Sequence, residues 1–281
     1  MFNYANAIKS AKKLMECKKL QLILLGHQGA GKSFAIGTLG VKTLYLYGTR
    51  ESHGPVSAST SAGDNVLPIC IDYGYWEKET TERAFTADES LKLVEQILKD
   101  YKWLREEEFG AIAIDGLPVL EAVAKDSQLW KEKCKTASGK HNTYKETEAT
   151  QEVIGTILGW LKAAQVELDI HVIATGIIDV KEKDGYGAIV EATPRLAGYG
   201  LAETMNQHFA DIACVGKMSM NGEVKYKFQF LVDLTKASKD LQGNLKKSMN
   251  FSPRISGCKD LPDMMDADLS KLAVWKAKGG A

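Results

Sequence analysis

The sequence has no excess of charge of either sign, because 36 lysine and arginine residues are balanced by 36 aspartate and glutamate residues. No overall field therefore draws the chain to nucleic acid or to an anionic membrane, and any contact with DNA has to come from a local patch. The sequence also has no hydrophobic run near the ~18 residues of a membrane span, and its N-terminus lacks the charged and apolar regions of a signal peptide. These absences predict a soluble, cytoplasmic protein with no membrane partner.

Cysteines are few and show no pairing pattern. The five cysteines are scattered, odd in number and include no C-x-x-C pair, which argues against a disulfide framework and against a zinc site. We expect reduced thiols. Hydrophobic residues, by contrast, make up 44% of the 281 residues. That is enough for a real core in one large α/β domain, or in one domain with appendages.

The strongest feature is a glycine-rich stretch between an apolar run and the start of a helix. It has the pattern G-x-x-x-x-G-K-S after the run Gln21–Leu25, which is the sequence context of a phosphate-binding P-loop. In such a loop the backbone N–H groups point at phosphate oxygens, Lys32 reaches the β- and γ-phosphates, and the hydroxyl of Ser33 binds Mg²⁺. We therefore predict that ATP and Mg²⁺ bind here. The predicted nucleotide-binding residues are Gly26, His27, Gln28, Gly29, Ala30, Gly31, Lys32, Ser33 and Phe34.

A second apolar strand predicts the other half of the metal site. Residues 109–115 are apolar up to a terminal aspartate, as in a Walker B element, whose carboxylate orders the Mg²⁺ shell opposite the P-loop serine. The pattern is weak alone, but it follows a P-loop within an alternating β/α sequence. The predicted metal-binding residues are therefore Ser33 and Asp115.

Two further side chains are candidates for the chemistry. Glu51 follows the strand 42–47 and could aim a carboxylate at the γ-phosphate to activate water, although a solvated loop glutamate would look the same in the sequence. If Glu51 is not that residue, Asp72 or Glu77 is the next candidate. Thr175 ends an apolar strand and is expected beside the P-loop, where it would sense the γ-phosphate. The predicted catalytic residues are Lys32, Glu51, Asp115 and Thr175.

Three segments have the composition of loops. Residues 57–65 are small and polar, and residues 176–200 contain five glycines without a regular period, which predicts a long flexible loop. Residues 131–145 carry five lysines, one glutamate and a tyrosine, which suits either contact with a phosphate backbone or an ordinary solvated loop. The candidate DNA-binding residues are Lys131, Lys133, Lys135, Lys140 and Lys145.

Helical periodicity and turn signals predict the remaining elements. Thr86 and Glu89 form a capping box before a crossover helix whose apolar face runs from Leu91 to Leu104. Asn221 and Gly222 predict a hairpin turn. Other helices are expected at 3–19, 150–165, 201–209 and 267–276, and the hairpin would join late strands at 211–218 and 224–232.

Taken in order, these motifs resemble those of the RecA-like P-loop ATPases of bacteriophages, the AAA-domain group that includes Sak-type single-strand annealing proteins. The motifs that carry the resemblance are GHQGAGKS, the strand TLYLY with the following GTRESH, AIAID, HVIATG, and TPRL before DIA. The resemblance implies an α/β fold of the P-loop NTPase class, with a RecA-like, mostly parallel central sheet flanked by helices. It divides the chain into an N-terminal helix (1–19), a RecA-like ATPase core (20–235) and a C-terminal tail with a short helix (236–281).

The same resemblance assigns roles to particular residues. Glu51 takes the position of the catalytic glutamate, Thr175 matches the polar residue that couples nucleotide to DNA, and residues 116–150 and 176–200 become DNA-facing loops. RecA-like ATPases usually complete their site across a subunit interface, which implies a homo-oligomeric ring or filament. The residues that would act across that interface are Arg195, Lys217, Lys225 or Lys227.

The leading hypothesis is therefore an ATPase that acts on single-stranded DNA in phage recombination or replication, in the host cytoplasm. A phage packaging or assembly ATPase that takes no part in recombination is the second hypothesis. A small-molecule phosphotransferase ranks last, because the chain has few arginines with which to build a kinase lid. Stimulation of ATP hydrolysis by single-stranded DNA separates the first hypothesis from the others.

Overall fold

The structure, a computed structural model, describes residues 18–49, 53–72, 85–183, 188–194, 208–220, 223–229, 255–258, 262 and 264–279. Strands and helices alternate along the chain as far as β5, and strands dominate after it. The strands are β1 (Gln21–Leu25), β2 (Thr43–Tyr47), β3 (Val66–Cys70), β4 (Ala111–Asp115), β5 (His171–Gly176), β6 (Ile178–Lys183), β7 (Ala188–Pro194), β8 (Asp211–Met220), β9 (Glu223–Gln229) and β10 (Met264–Asp266). The helices are α1 (Lys32–Gly37), α2 (His53–Ala62), α3 (Ala87–Lys99), α4 (Tyr101–Glu106), α5 (Leu117–Asp126), α6 (Gln128–Lys133), α7 (Glu146–Leu168) and α8 (Leu269–Ala277).

A large sheet organises the described part of the chain, with its strands in the order β10-β9-β8-β1-β5-β4-β2-β3. The strands from β8 to β3 are parallel, and β9 and β10 extend one edge in antiparallel fashion. The fold is therefore α/β with a mostly parallel central sheet, as predicted. The strands β6 and β7 pair with each other, outside the large sheet.

The middle of the sheet is apolar on both faces. Every residue of β1, β4 and β5 is buried, which is typical of strands in a parallel sheet covered on both sides. By contrast, β3 lies at the edge, where Pro68 costs no interior ladder bond and Leu67 is exposed. Because parallel strands end at one edge of a sheet, Asp115 and Thr175 come to lie beside the loop that follows β1.

Helices cover the two faces of the sheet. Residues of α3, α5 and α7 pack on one face, where they meet strand residues such as Leu44 and Val172. Residues of α1, α2 and α8 pack on the other face, where they meet Tyr45 and Ile173. Neighbouring residues of one strand therefore belong to different layers, as the alternation of side chains along a strand requires.

The predicted crossover helix after β3 is two helices. The capping box of Thr86 and Glu89 is present and begins α3. Asp100 then ends α3 and caps α4, because its carboxylate accepts a hydrogen bond from the backbone N–H of Trp103 at 3.0 Å. The apolar face predicted as continuous is therefore divided between two helices at Asp100, whose backbone is not helical.

The prediction of a loop at 57–65 is wrong. These residues form most of α2 and a 3₁₀ turn at Gly63–Asn65. The helix has almost no apolar period, because it buries only Gly54 and Ala58. Small side chains let it lie close to α1, where the hydroxyl of Ser61 donates to the carbonyl of Phe34 at 2.7 Å.

The prediction of an irregular loop at 176–200 is also corrected. Gly176 is the last residue of β5, and residues 178–183 and 188–194 form β6 and β7, which pair as antiparallel strands with a register shift between Lys181 and Glu182. Pairing between the two strands defines this element, and a search for helical or amphipathic periods does not detect such pairing. Residues 184–187 and 195–200 lie outside the described residues.

Other predicted elements are present with shifted bounds. The helix expected at 150–165 is the longer α7, and the two late strands are β8 and β9, which pair in antiparallel fashion. The segment set apart as a C-terminal tail contains β10, which pairs with β9, and α8, whose Leu269 and Leu272 are fully buried in the core. Of the helices expected at 3–19 and 201–209, residues 3–17 and 201–207 lie outside the described residues. Among the described helices, none is both long and apolar enough to cross a membrane.

Two buried polar side chains fix the beginnings of the central strands. Nδ1 of His171 accepts a hydrogen bond from the backbone N–H of Leu20 at 3.0 Å, and burial lowers the pKa of His171 to about 4. Asp211, fully buried at the start of β8, accepts the backbone N–H of Gln21 at 2.8 Å and an ion-paired hydrogen bond from Lys276 of α8. At the edge where the parallel strands begin, side-chain hydrogen bonds therefore tie the start of β1 to β5 and to β8.

Candidate active site

The loop between β1 and α1 has the backbone that its glycines allow. Gly29 and Gly31 adopt positive φ angles of 74° and 91°, a conformation that is strained for other residues. Gly31 is the residue before the first turn of α1. The loop therefore curls back over the end of β1, as predicted for a P-loop.

Lys32 is held at the mouth of this loop. Its ammonium group donates hydrogen bonds of 2.9 Å to the carbonyls of Gly26 and His27. These contacts hold the positive charge of Lys32 next to any ligand bound within the loop. An anionic group such as a phosphate is the ligand that this charge favours.

Ser33 and Asp115 meet across the carboxyl edge of the sheet, as predicted. The hydroxyl of Ser33 donates to Oδ2 of Asp115 at 2.7 Å. Asp115 is buried at the last position of β4, and β5 lies between β4 and β1. The contact therefore joins the start of α1 to a strand two places away in the sheet.

Thr175 completes the same cluster from the strand in between. Its hydroxyl donates to Oδ1 of Asp115 at 2.5 Å and accepts the backbone N–H of Gly116 at 2.8 Å. Thr175 thereby orients the Asp115 carboxylate and the first residue after β4. The predicted proximity of Thr175 to the P-loop is present in the structure.

Tyr45 is a member of the cluster that the sequence did not reveal. It is fully buried on β2, and its hydroxyl donates to the same Oδ2 of Asp115 that Ser33 contacts. The sequence shows Tyr45 only as one aromatic residue of a β-prone strand. The signal that could have found it is the pairing of β2 with β4, which cannot be read from one strand alone.

The helix α2 forms a wall of the site that the loop prediction missed. A Cβ atom on Gly54 would lie 2.6 Å from both Oδ2 of Asp115 and the hydroxyl of Tyr45, so only glycine fits there. His53, Ser57 and Thr60 of α2 line the same cavity. Pro55 in the first turn was the available sequence signal, since proline is favoured at helix starts.

These groups surround a cavity of about 620 Å³. Lys32, Ser33, Asp115 and Thr175 form one part of its lining, and Phe34 and Tyr226 form another. The volume falls in the ordinary range of ligand pockets. A second cavity, of about 460 Å³, lies on the other helical layer among α3, α6 and α7 and contains none of the predicted nucleotide-binding, metal-binding or catalytic residues, although the candidate DNA-binding residue Lys133 lines it.

The oxygen atoms of the cluster fit a magnesium ion. The described residues contain no group of three or more His, Cys, Asp or Glu side chains that could hold a metal by themselves. Mg²⁺ commonly binds through one or two protein oxygens together with substrate phosphates and water. Ser33 and Asp115, which face each other at 2.7 Å beside the P-loop, offer such a pair.

Of the candidates for activating water, the structure describes Asp72 alone, because Glu51 and Glu77 lie outside the described residues. Asp72 is fully buried at the end of β3 and does not line the cavity. It accepts hydrogen bonds from the backbone N–H and the hydroxyl of Thr49 at 2.6 and 3.2 Å. Asp72 therefore orients the segment that leads to Glu51, and its own position does not suit contact with substrate.

The candidate DNA-binding lysines lie apart from the cavity, on α6 and the turn that follows it. Lys133 is half-buried in an ion pair with Glu152 at 2.5 Å. Tyr144, in a 3₁₀ turn, is 93% exposed. The other four lysines are exposed around this turn: Lys131, Lys135, Lys140 and Lys145.

The candidates for action across an interface point in different directions. Lys217 is the cross-strand partner of Tyr226 and so shares the face of the sheet that carries the cavity. Lys225 and Lys227 lie on the other face, where they pair with Glu223 at 3.5 Å and Asp266 at 2.6 Å. Arg195 lies outside the described residues.

Comparisons with known proteins leave the family open. No family model matches the sequence, and no curated protein matches it. Among solved structures, the flagellar accessory protein FlaH from Methanocaldococcus jannaschii is similar over 74% of this chain and 76% of its own, with 10% identity and a TM-score of 0.37. A similarity at that TM-score does not establish a shared family.

Proposed function

We propose that this chain binds ATP with Mg²⁺ and hydrolyses it at the carboxyl edge of the sheet. One observation carries the proposal: Ser33 and Thr175 both donate to Asp115, next to a glycine loop that holds Lys32 at its mouth. Charge, metal-binding oxygens and a polar side chain on the intervening strand are thus gathered around one cavity. Phosphoryl transfer depends on positioning and charge stabilisation of this kind.

Each residue has a distinct part in the proposed reaction. Lys32 binds the β- and γ-phosphates, and Ser33 and Asp115 hold Mg²⁺, which when bound neutralises charge on the phosphate oxygens. Glu51 orients the attacking water from the segment after β2, and Asp72 holds the start of that segment through Thr49. Thr175 fixes the orientation of the Asp115 carboxylate, which would hold the metal.

We further propose a RecA-like arrangement, supported by the strand order. In that order β5 lies between the P-loop strand β1 and the Asp115 strand β4, so Thr175 lies between the strands that carry the two halves of the site. A homo-oligomer, with a ring or filament form, would place a residue of one subunit beside the cavity of the next. Of the described candidates, Lys217 is the best placed to act at a cavity, because it lies on the face of the sheet that carries the cavity.

Single-stranded DNA is the proposed macromolecular partner, in phage recombination or replication. The supporting observation is the exposed turn with Tyr144 and four lysines, because an aromatic ring among cations can bind both base and backbone. The helix α5 begins beside the cavity at Gly116 and leads by way of α6 to this turn. A packaging or assembly ATPase would use the same cavity without this turn, and a phosphotransferase would need an acceptor site.

The test compares ATP hydrolysis with and without single-stranded DNA, for the wild type and Glu51→Gln. The proposal predicts magnesium-dependent hydrolysis that DNA stimulates. It also predicts that Glu51→Gln still binds ATP but does not turn it over, since the amide cannot act as a base. Hydrolysis that is indifferent to DNA, together with no salt-dependent DNA binding, contradicts the recombination proposal. Normal turnover by Glu51→Gln removes Glu51 from the mechanism.

A further inference from the structure

Two aromatic rings lie together in the lining of the cavity, and the proposed hydrolysis uses neither. Phe34 follows the G-K-S of the P-loop, and Tyr226 belongs to β9, far along the chain. Their ring centroids are 5.9 Å apart with an angle of 35° between the planes. Both side chains are half-buried and line the cavity that also contains Lys32.

Tyr226 lies directly against the P-loop. A Cβ atom on Gly31 would lie 2.5 Å from Cδ1 of Tyr226, so the ring rests on the last glycine of the loop. Lys32 and Ser33 follow that glycine at once. The ring is therefore adjacent to the backbone that would hold phosphates, and it lines the same cavity.

Strand pairing holds Tyr226 in this place independently of the P-loop. Its residue pairs with Lys217 of β8, and its carbonyl accepts the backbone N–H of Ala267 at 3.0 Å. The next residue, Lys227, is tied to Asp266 of β10 by an ion pair of 2.6 Å. Phe228, which shares the face of Tyr226, is fully buried in the core. These contacts hold β9 in place, so the ring of Tyr226 has a fixed position.

We propose that Tyr226 stacks on the base of the bound nucleotide and that Phe34 forms the other aromatic contact of this base site. The inference rests on the proposed function, because it requires a triphosphate in the P-loop. Aromatic faces stack on any base, so the site distinguishes a nucleoside triphosphate from inorganic triphosphate without choosing among bases. It also assigns β9 and the C-terminal β10, which brace Tyr226, to nucleotide binding.

The test compares the affinities of each variant for ATP and for inorganic tripolyphosphate, both with Mg²⁺, by calorimetry. Tyr226→Leu keeps an apolar side chain over Gly31 but removes the aromatic face, and Tyr226→Phe keeps both. Val224→Ala is the matched control, since Val224 is an exposed residue of the same strand. We expect Tyr226→Leu to weaken ATP binding roughly 5- to 150-fold and to leave tripolyphosphate binding unchanged. Tyr226→Phe and Val224→Ala should bind both ligands as the wild type does.

The outcomes separate this inference from the proposed function. If Tyr226→Leu weakens ATP and tripolyphosphate equally, Tyr226 only shapes the P-loop, and the base site is refuted while nucleotide binding stands. If Tyr226→Leu binds ATP normally, the base site is again refuted. If the wild type binds neither ligand, the proposed function fails and the inference fails with it. Near-ultraviolet circular dichroism of each variant confirms that its core is folded before binding is measured.

Discussion

The two ends of the parallel strands each contain a buried aspartate, and the two are surrounded by different donors. At the carboxyl end, Asp115 accepts hydrogen bonds from the hydroxyls of Ser33, Tyr45 and Thr175. At the amino end, Asp211 accepts the backbone N–H groups of Gln21 and Ser256, the hydroxyl of Ser256 and the ammonium group of Lys276. The first cluster borders a cavity, and the second is enclosed by β1, β8 and α8.

This difference separates a candidate catalytic site, at Asp115, from a structural ion pair, at Asp211. A hydroxyl both donates and accepts, so Ser33 can turn its oxygen from Asp115 to a metal ion without leaving the site. The partners of Asp211 already include a cation, because the Lys276 ammonium donates both to Asp211 and, at 3.0 Å, to the hydroxyl oxygen of Ser256. These oxygens therefore hold an ammonium group rather than a metal ion. We therefore expect substitutions at the amino end to change stability, and substitutions at the carboxyl end to change catalysis.

The largest expected effect on stability comes from Asp211→Asn. The substitution leaves the Lys276 ammonium buried without its counter-ion, and we expect a loss of about 3–5 kcal/mol in the free energy of unfolding. Urea denaturation measures this loss, and ATP hydrolysis per folded molecule should stay near the wild-type rate. The double variant with Lys276→Met should regain part of the stability. A loss below about 1 kcal/mol would show that the ion pair of Asp211 and Lys276 does not stabilise the fold.

The next effect is a loss of stability in acid that arises from His171. Burial, with smaller contributions from Lys19 and Lys276, lowers its pKa from 6.5 to about 4 in the folded chain. The unfolded chain therefore binds this proton first as the pH falls. The contribution to stability is complete above pH 6.5 and declines towards pH 4, by about 3 kcal/mol in total.

His171→Asn isolates this contribution, because an amide oxygen can still accept the N–H of Leu20 but does not titrate in this range. Urea denaturation at several pH values should show a shallower decline for the variant than for the wild type between pH 6.5 and pH 4. Identical slopes for the two proteins would show that folding does not lower the pKa of His171.

At the carboxyl end, Tyr45→Phe removes one donor from Asp115 and keeps the ring. We expect about tenfold slower hydrolysis or a similar rise in the Mg²⁺ concentration needed for half-maximal rate, because the carboxylate is less firmly oriented. A magnesium titration of ATP hydrolysis measures this effect. Tyr47→Phe, two residues along the same face of β2, is the matched control. An effect on stability alone, with unchanged magnesium dependence, would limit Tyr45 to packing.

The smallest expected effect concerns the exposed lysines, which belong to neither end of the strands. The double variant Lys140→Ala, Lys145→Ala should lower the salt slope of single-stranded DNA binding by about 1–2 units. Lys133→Ala should change it less, since Glu152 already pairs with Lys133. Fluorescence anisotropy at several salt concentrations measures the slope, and equal slopes in all three proteins would remove this turn from the DNA proposal.

The carboxyl-end cluster was partly predictable, because most of its members stand next to a strand or motif that the sequence alone reveals. Asp115 and Thr175 each end an apolar run, and Ser33 belongs to a local motif, so parallel pairing brings them together. Tyr45 and Tyr226 gave no such signal. Each reaches the site through strand register or sheet order, which depend on pairings between distant parts of the chain.

The two segments wrongly predicted as loops share a physical cause. The helix α2 is stabilised by close packing of small residues, so it lacks the apolar stripe on which helix prediction depends. The strands β6 and β7 are defined by pairing with each other. At the amino end, the ion pair of Asp211 and Lys276 joins β8 to α8. It could not be predicted from the sequence either, because it also depends on packing between distant parts of the chain.

The most direct test of the account is ATP hydrolysis by Lys32→Ala, with Lys102→Ala as a control because Lys102 is an exposed lysine of α4. We expect Lys32→Ala to lose at least about 100-fold in rate while its free energy of unfolding stays within about 0.5 kcal/mol of the wild type. We expect Lys102→Ala to be fully active. Magnesium-dependent hydrolysis by Lys32→Ala at the wild-type rate would contradict the assignment of the carboxyl edge as the active site.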